Sequence, residues 1–357
     1  MTQTDSGVCG TSSLPYLPCR QLAPLKVRMA PGDHQGRLAV MISELPRDED
    51  FVQGVRSHMN LCAGTLSEPL RPLLEALITR PGKYLRSHLL EVCSRFGNPN
   101  YTRLVRLGAI VELLHCASLL HDDVIDRAAT RRGAPTAHKV AGPELAVLTG
   151  TACFAQVGAE SADLGGVVSG AVSDAVAELS RGELLDVQRA FDPTVTTADY
   201  VELARSKTGE LFRLCCVLGA QEAQVATQDV RRLDQFGSNM GIAFQIVDDC
   251  LDLRIDADDK PVGTDHLLGL FGLPTLCALS GPASTELTEV LMSPSIDATA
   301  LTSVRKLVHA TGGVEQAMTI AERHYDDAVS VLGPLTKLPA GEALLVTAET
   351  MWRRQWT

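Results

Sequence analysis

The sequence predicts an all-α protein, on two observations. From Leu38 onward, apolar residues recur at spacings of three and four, as in Leu104, Leu107, Val111 and Leu114, which is the period of an amphipathic helix. β-Branched runs with strict alternation are scarce in the same region, and that argues against strands. We therefore expect a bundle of about ten or more helices.

The first 36 residues are set apart from this pattern. They contain Pro15, Pro18, Pro24 and Pro31 among Ser, Thr and Gly, with no apolar period. Such composition cannot bury enough apolar surface to offset the loss of chain entropy. We expect residues 1–36 to be a disordered arm and residues 37–357 to form one helical domain.

Turn-forming residues divide the remaining chain into segments of helical length. In order, these breaks are Pro81-Gly82, Gly97 to Pro99, Gly133 to Pro135, Gly142-Pro143, Asp192-Pro193, Pro261 to Gly263, Gly281-Pro282 and Gly333-Pro334. No internal repeat of fixed period is visible.

Composition narrows the functional classes. The formal net charge is -11, which disfavours nucleic acid and anionic lipid as partners. The ten cysteines include no C-x-x-C pair, so neither a zinc site nor a disulfide framework is indicated. The sequence shows no apolar run of eighteen residues and no secretory signal. We expect a cytoplasmic protein without a membrane span.

Two similar acidic motifs stand out inside apolar segments. LLHDDVID contains Asp122, Asp123 and Asp126, and FQIVDDCLDL contains Asp248, Asp249 and Asp252. On a helix, residues four apart lie on one face, so each motif places two carboxylates side by side. Like charges at this spacing destabilise a helix by a few tenths of a kcal/mol, which predicts a compensating cation.

Magnesium fits this requirement because it prefers oxygen ligands and typically binds through one or two carboxylates together with substrate phosphates. A single acidic pair is more often a solvated helix face, but two copies with apolar flanks favour a diphosphate site between them. A calcium loop at DLRIDADDKPVGTD is rejected, because Lys260 and Pro261 replace the residues that such a loop needs.

His115 precedes Asp122 by seven residues. Seven residues make two helical turns, so the two side chains share a face about 10 Å apart. Taken alone, His115 reads as a buried structural histidine. One helix face can nevertheless serve two ligands.

These motifs resemble those of the trans-isoprenyl diphosphate synthases, which carry two DDxxD motifs and a paired arginine after the first. Here the pair is Arg131-Arg132, and the likeness extends from roughly Leu73 to Pro274. The resemblance implies an all-α fold around a deep central cavity and a magnesium-dependent prenyltransferase. It implies that isopentenyl diphosphate is held by Lys83, Arg86, His115 and Arg132.

The resemblance also implies roles around the allylic diphosphate. The implied catalytic residues are Asp122, Asp126, Lys207 and Asp248, and the implied metal set is Asp122, Asp123, Asp126, Asp248, Asp249 and Asp252. The implied ligands of the allylic diphosphate are Arg131, Lys207, Thr208, Gln245 and Lys260. The resemblance further implies three magnesium ions per site and a homodimer, with a heteromer as the alternative.

Product length should depend on the helix upstream of Asp122, along which a growing tail runs away from the metals. Ala117 and Ser118 are small where farnesyl-producing relatives carry bulky aromatic residues, so Leu114 and Val111 are the next barriers. We expect 1'-4 condensation of isopentenyl diphosphate with an allylic diphosphate to give products longer than farnesyl, C20 or above.

Some positions depart from the family pattern. Arg80-Pro81 precede a single Gly82, Thr151 stands where aspartate is common, and Leu270 and Gly272 replace lysine and threonine.

Two other interpretations of the function stay open: a diverged class I terpene cyclase, and a non-catalytic subunit of a heteromeric synthase. The intact second DDxxD motif argues against the first, and the intact aspartates argue against the second.

Overall fold

The computed structural model describes residues 48–80, 82–253, 264–282, 284–293 and 298–353. These ranges are almost entirely helical, which confirms the predicted all-α class. The described residues all fall within one compact unit, His34–Thr357. The predicted arm, residues 1–36, lies outside the described residues.

In chain order the helices are α1 Glu49–Gly64, α2 Leu70–Thr79, α3 Leu85–Ser94, α4 Tyr101–Ile125, α5 Ala137–Ala141, α6 Pro143–Asp163, α7 Gly166–Arg189, α8 Thr197–Ala204, α9 Glu210–Glu222, α10 Thr227–Asp252, α11 Leu273–Leu279, α12 Ser284–Leu291, α13 Ala298–Ala310, α14 Gly313–Leu332 and α15 Pro339–Arg353. One turn of π-helix, Arg205–Gly209, joins α8 to α9. Short 3₁₀ helices occupy Thr264–Leu268 and Gly333–Lys337.

The predicted breaks that fall in the described ranges lie at helix ends or connections. The sequence did not predict the break between α6 and α7, where Gly165 has a φ of 108°. A side chain is strained at that backbone angle, so glycine is suited to this turn. The predicted break at Pro261 to Gly263 lies outside the described residues.

A two-stranded hairpin is the one sheet within the described ranges. Strand β1, Thr130–Arg131, pairs antiparallel with β2, Ala134–Pro135. Arg132 and Gly133 form the turn with positive φ angles of 52° and 74°, as a type I′ hairpin turn requires at both central positions. The hairpin follows α4 directly and carries the predicted arginine pair.

Helices α4 and α10 are central to the packing. Helix α4 packs against α1, α3 and α6, while α10 packs against α9 and α14. The middle of α4 is apolar nearly all round, with Ile110, Val111 and Leu114 fully buried, as expected of a core helix. Both helices end at the acidic motifs.

Helix α4 is also long and apolar enough to cross a membrane by length and composition, with a mean hydropathy of 1.5 over its most apolar window. However, 72% of that window is buried inside the protein. Its apolar surface is therefore covered by other helices rather than available to lipid.

Candidate active site

A cavity of about 210 Å³ lies between the two acidic motifs. Residues of α7, α8, α10, the π turn and the segment that follows Thr264 line it, together with the end of α4. Its polar side chains include Asp126, Asp186, Lys207, Gln245, Asp249, Asp252 and Asp265. Residues of both motifs therefore line one pocket: Asp126 from the first motif, and Asp249 and Asp252 from the second.

The first motif occupies the last turn of α4. Its backbone stays helical through Asp126, whose N–H donates to the carbonyl of Asp122 at 2.8 Å. Burial raises the pKa of Asp122 to about 7 and that of Asp126 to about 6, although Lys207 acts in the opposite direction on both. Two carboxyl groups that ionise reluctantly at one site favour a bound cation.

Asp123 differs from its two neighbours in the motif. It is buried, with 3% of its surface exposed, and its Oδ1 accepts a hydrogen bond from Arg131 Nε at 2.6 Å. The pair connects the end of α4 to strand β1. Of the three aspartates in the motif, Asp126 lines the cavity, whereas Asp122 and Asp123 do not.

Lys207 lies in the π turn and faces α7. Its Nζ contacts Glu183 Oε2 at 3.0 Å and also pairs with Asp186. Burial alone would lower the pKa of Lys207, but the charges of Asp186, Glu183 and Asp122 outweigh burial and raise it. The ammonium group is therefore charged across the physiological pH range.

Close backbone contact positions the π turn. A Cβ atom on Gly182 would lie 2.7 Å from the backbone N of Lys207. A Cβ atom on Gly241 would lie 2.5 Å from the Cα of Gly209. Only glycine at these positions lets α7 and α10 approach the turn this closely, and the approach sets Lys207 between them.

The second motif ends α10. Asp248 and Asp252 are exposed, and Asp252 lines the cavity. Asp249 is turned inward, and burial raises its pKa to about 7 while hydrogen bonds from Tyr200 and Gln245 act in the opposite direction.

Thr208 and Gln245, both predicted ligands of the allylic diphosphate, are in contact. The Thr208 hydroxyl donates to Gln245 Oε1 at 2.6 Å, and Gln245 Nε2 donates to Asp249 Oδ1 at 2.9 Å. A chain of hydrogen bonds therefore runs from the residue beside Lys207 to the second motif.

Two of the residues predicted to hold isopentenyl diphosphate, Arg86 and Arg132, lie near His115. Burial first, then the charges of Arg86, Arg132 and Arg131, lowers the pKa of His115 well below its usual value. Arg86 lies over the Phe212 ring at 5.7 Å, and its buried Nε has no hydrogen-bond partner among the described residues. An unsatisfied buried guanidinium nitrogen is costly, so this group is suited to an anionic ligand.

Gly82 explains part of this arrangement. A Cβ atom there would lie 3.2 Å from Arg132 Nη1, so the glycine leaves room for the guanidinium. The neighbouring Lys83 is half-buried. Of the predicted substrate ligands, Lys260 alone lies outside the described residues.

The predicted chain-length residues lie on α4 inside the core. Val111, Leu114 and Ala117 are fully buried, and the Ser118 hydroxyl donates to the carbonyl of His115 at 3.0 Å. None of the four is among the residues that line the cavity.

Several residues at the site were not predicted from the sequence. Glu183 and Asp186 hold Lys207, Asp265 lines the cavity, and Tyr200 contacts Asp249. GELLDVQ contained a signal for the first two, because acids three apart share a helix face.

A second group of ligand-type side chains lies away from the cavity. His58, Cys62 and Glu160 bring ligand atoms within 4.8 Å of one another. Glu160 Oε2 already accepts from His58 Nε2 at 2.9 Å and from Arg106 Nη2 at 2.8 Å. Because the positive charge of Arg106 neutralises this carboxylate, we interpret the group as an ion-paired cluster between α1 and α6.

Comparison with known proteins identifies relatives of this chain. The model of the polyprenyl synthetase family matches residues 67–308. The chain is 33% identical over 277 residues to solanesyl-diphosphate synthase 2, chloroplastic, of Oryza sativa subsp. japonica, a match that covers 77% of this chain and 66% of the rice protein. It is 32% identical over 299 residues to heptaprenyl diphosphate synthase component 2 of Geobacillus stearothermophilus, covering 83% and 90% of the two chains.

The fold of this chain also matches that of a solved structure. A polyprenyl synthase from Caulobacter crescentus CB15, complexed with calcium and isoprenyl diphosphate, superposes with a TM-score of 0.79 at 29% identity. The superposition covers 88% of this chain and 98% of that one.

Proposed function

Because this chain belongs to the polyprenyl synthetase family, whose members are prenyltransferases, we propose that it condenses isopentenyl diphosphate with an allylic diphosphate in 1'-4 linkage, giving an all-trans polyprenyl diphosphate longer than farnesyl. The observation that carries the proposal is the shared cavity. Asp126, directly after α4, and Asp249 and Asp252 of α10 line it together with Lys207.

Magnesium fits the donors at this cavity. The candidates on its walls are carboxylate oxygens, which hard divalent cations prefer, and burial has raised the pKa of Asp122 and Asp126. We propose Asp122, Asp126 and Asp248 as direct ligands of magnesium. When bound, the metal supplies positive charge to the departing diphosphate.

The chain's own cations would act on the same leaving group. Lys207 and Arg131 carry fixed positive charge beside the first motif, so both stabilise negative charge as the allylic carbon–oxygen bond breaks. Thr208 and Gln245 offer hydrogen-bonding groups next to Lys207. The allylic carbocation is then attacked by the double bond of isopentenyl diphosphate, and a proton passes to the released diphosphate.

The second diphosphate would lie against Arg86, Arg132 and Lys83. The unpaired Nε of Arg86 supports this assignment, as does the lowered pKa of His115. A neutral imidazole still donates one hydrogen bond, so His115 orients an anion without adding charge. Helix α4 thereby serves both substrates from one face.

Long products are supported by the small side chains of Ala117 and Ser118 upstream of Asp122. The two relatives are named as solanesyl and heptaprenyl diphosphate synthases, which are names of long-chain products. Leu114 and Val111 are the proposed stops further along α4.

We propose a cytoplasmic homodimer. Exposed apolar side chains on neighbouring helices support an interface, with Val147 and Leu148 on α6 and Leu184 and Val187 on α7, since clustered exposed apolar residues commonly mark contact surfaces. A heteromer is the alternative, because the Geobacillus relative is named as component 2 of a synthase. Sedimentation of the purified chain distinguishes a homodimer from a monomer that lacks its partner.

The proposal is tested by incubating purified protein with magnesium, isopentenyl diphosphate and, in turn, geranyl, farnesyl and geranylgeranyl diphosphate. Mass spectrometry should detect a ladder of longer prenyl diphosphates. A cyclic hydrocarbon would indicate a terpene cyclase instead. No product from a folded protein would contradict the proposal and favour a non-catalytic subunit.

A further inference from the structure

Donors from the protein occupy both oxygens of the Asp249 carboxylate. The Tyr200 hydroxyl donates to Oδ2 at 2.5 Å, and the backbone N–H of Leu273 donates to the same oxygen at 3.2 Å. Gln245 Nε2 donates to Oδ1 at 2.9 Å. The carboxylate therefore ties α10 to α8 and to α11.

Tyr200 is placed to do this by local structure. A capping box formed by Thr196 and Asp199 begins α8, and Tyr200 follows at once with only 4% of its surface exposed. Burial and the adjacent Asp249 raise the pKa of its hydroxyl well above the usual value. The hydroxyl therefore keeps its proton and remains a donor.

Gly272 makes room for the carboxylate. A Cβ atom at this position would lie 2.7 Å from Asp249 Oδ2 and 3.0 Å from its Cγ, so any side chain there must displace Asp249 or move itself. Gly272 is one of the positions at which the sequence departs from the pattern of the family it resembles. The glycine at position 272 therefore permits the observed orientation of the Asp249 side chain.

We propose that Tyr200 and Gly272 are positioning residues that act through Asp249. They hold the end of α10 so that Asp248 and Asp252 keep their place opposite Lys207, and Asp249 itself makes no direct metal bond. The link to the other side of the pocket runs through Gln245 and Thr208. This inference rests on the proposed function and assigns a supporting shell to its metal site.

The first test is Tyr200→Phe in the full-length chain, which removes one hydroxyl. Groups that orient metal ligands typically change metal affinity or activity by about 10–100-fold. We expect the magnesium concentration for half-maximal rate to rise about tenfold, with the KM for isopentenyl diphosphate changed by less than about twofold. The matched control is Tyr325→Phe, whose hydroxyl donates to Glu349 at 2.7 Å, and it should change neither.

The second test is Gly272→Ala, which places a methyl group against Asp249. It should shift the magnesium dependence in the same direction as Tyr200→Phe. Gly170→Ala is the control, because a Cβ atom there meets nothing within 4 Å. If circular dichroism shows that Tyr200→Phe does not fold, the magnesium dependence of Gly272→Ala tests the inference in its place.

A double-mutant cycle decides whether Tyr200 acts through Asp249. In an Asp249→Ala background, Tyr200→Phe should have no further effect on the magnesium dependence. Equal effects in both backgrounds would overturn the inference, as would an equal shift from Tyr325→Phe.

Calorimetry with inorganic diphosphate and magnesium separates this inference from the proposed function. If wild type binds the pair but makes no product, the proposed function fails, and a tenfold weaker binding by Tyr200→Phe still supports the inference. Equal binding by wild type and variant, or no binding by either, overturns it.

Discussion

Asp123 and Arg131 form a partly buried ion pair that joins the first acidic motif to the hairpin. The Arg131 Nε donates to Asp123 Oδ1 at 2.6 Å, and 5% of the Asp123 side chain is exposed. The middle aspartate of the motif thereby fixes the hairpin that presents Arg131 and Arg132. It has a geometry distinct from that of Asp126, which lines the cavity.

Asp123→Asn should therefore act on substrate binding more than on magnesium. Loss of a charge-assisted hydrogen bond costs roughly 1.5–3 kcal/mol, which is about a tenfold to hundredfold loss in kcat/KM. Steady-state kinetics should show that loss with a nearly unchanged magnesium optimum. Glu91→Gln, which breaks the exposed pair with Arg95, is the control and should leave kinetics intact. A large shift in magnesium dependence instead would show that Asp123 binds the metal.

Ala117→Phe should shorten the product. The aromatic ring would project from α4 one turn before the first aspartates, where the tail is expected to pass. Mass spectrometry of products formed from farnesyl diphosphate should show a lower mean chain length at similar total turnover. Identical product lengths from wild type and variant would remove the proposed path along α4.

The metal-free protein should lose stability as pH rises. Burial raises the pKa of Asp122 from 3.8 to about 7, so its contribution is fully present below pH 3.8 and is lost as pH rises through about 7. His115 has the opposite sign: its lowered pKa reduces stability as pH falls towards and below its usual value of about 6.5. Between about pH 6.5 and about pH 8 the effect of His115 opposes that of Asp122 and Asp249, which both have a pKa of about 7, so comparison with an Asp122 variant is needed to separate them.

Calorimetric melting in EDTA across that window should show Tm falling with pH. Asp122→Asn, which stays neutral, should flatten the slope, and added magnesium should raise Tm most at the higher pH. A slope in Asp122→Asn as steep as that in wild type would contradict the assignment of this group.

Local periodicity and motif spacing were sufficient to predict the helices and the acidic motifs. The period of Leu104, Leu107 and Val111 predicted α4, and the spacing of Asp122 and Asp126 predicted carboxylates on one face. Both inferences concern residues within one helix, where the distance along the chain fixes the distance in space.

Contacts between helices were not predictable in this way. Nothing in the sequence indicates that the Tyr200 hydroxyl, on α8, reaches Asp249 on α10, because that distance depends on how the helices pack. Gly272 shows the same limit. From the sequence, glycine at this position indicates only that a side chain is missing. The structure shows that Asp249 occupies the space that a side chain would need.

The central claim is that the two acidic motifs bind magnesium so that diphosphate can leave a prenyl carbon. Product formation by Asp122→Ala, measured across a full magnesium titration with isopentenyl and farnesyl diphosphates, tests it most directly. We predict that turnover is lost at every magnesium concentration while the protein stays folded. Turnover by this variant near the wild-type rate would contradict the account.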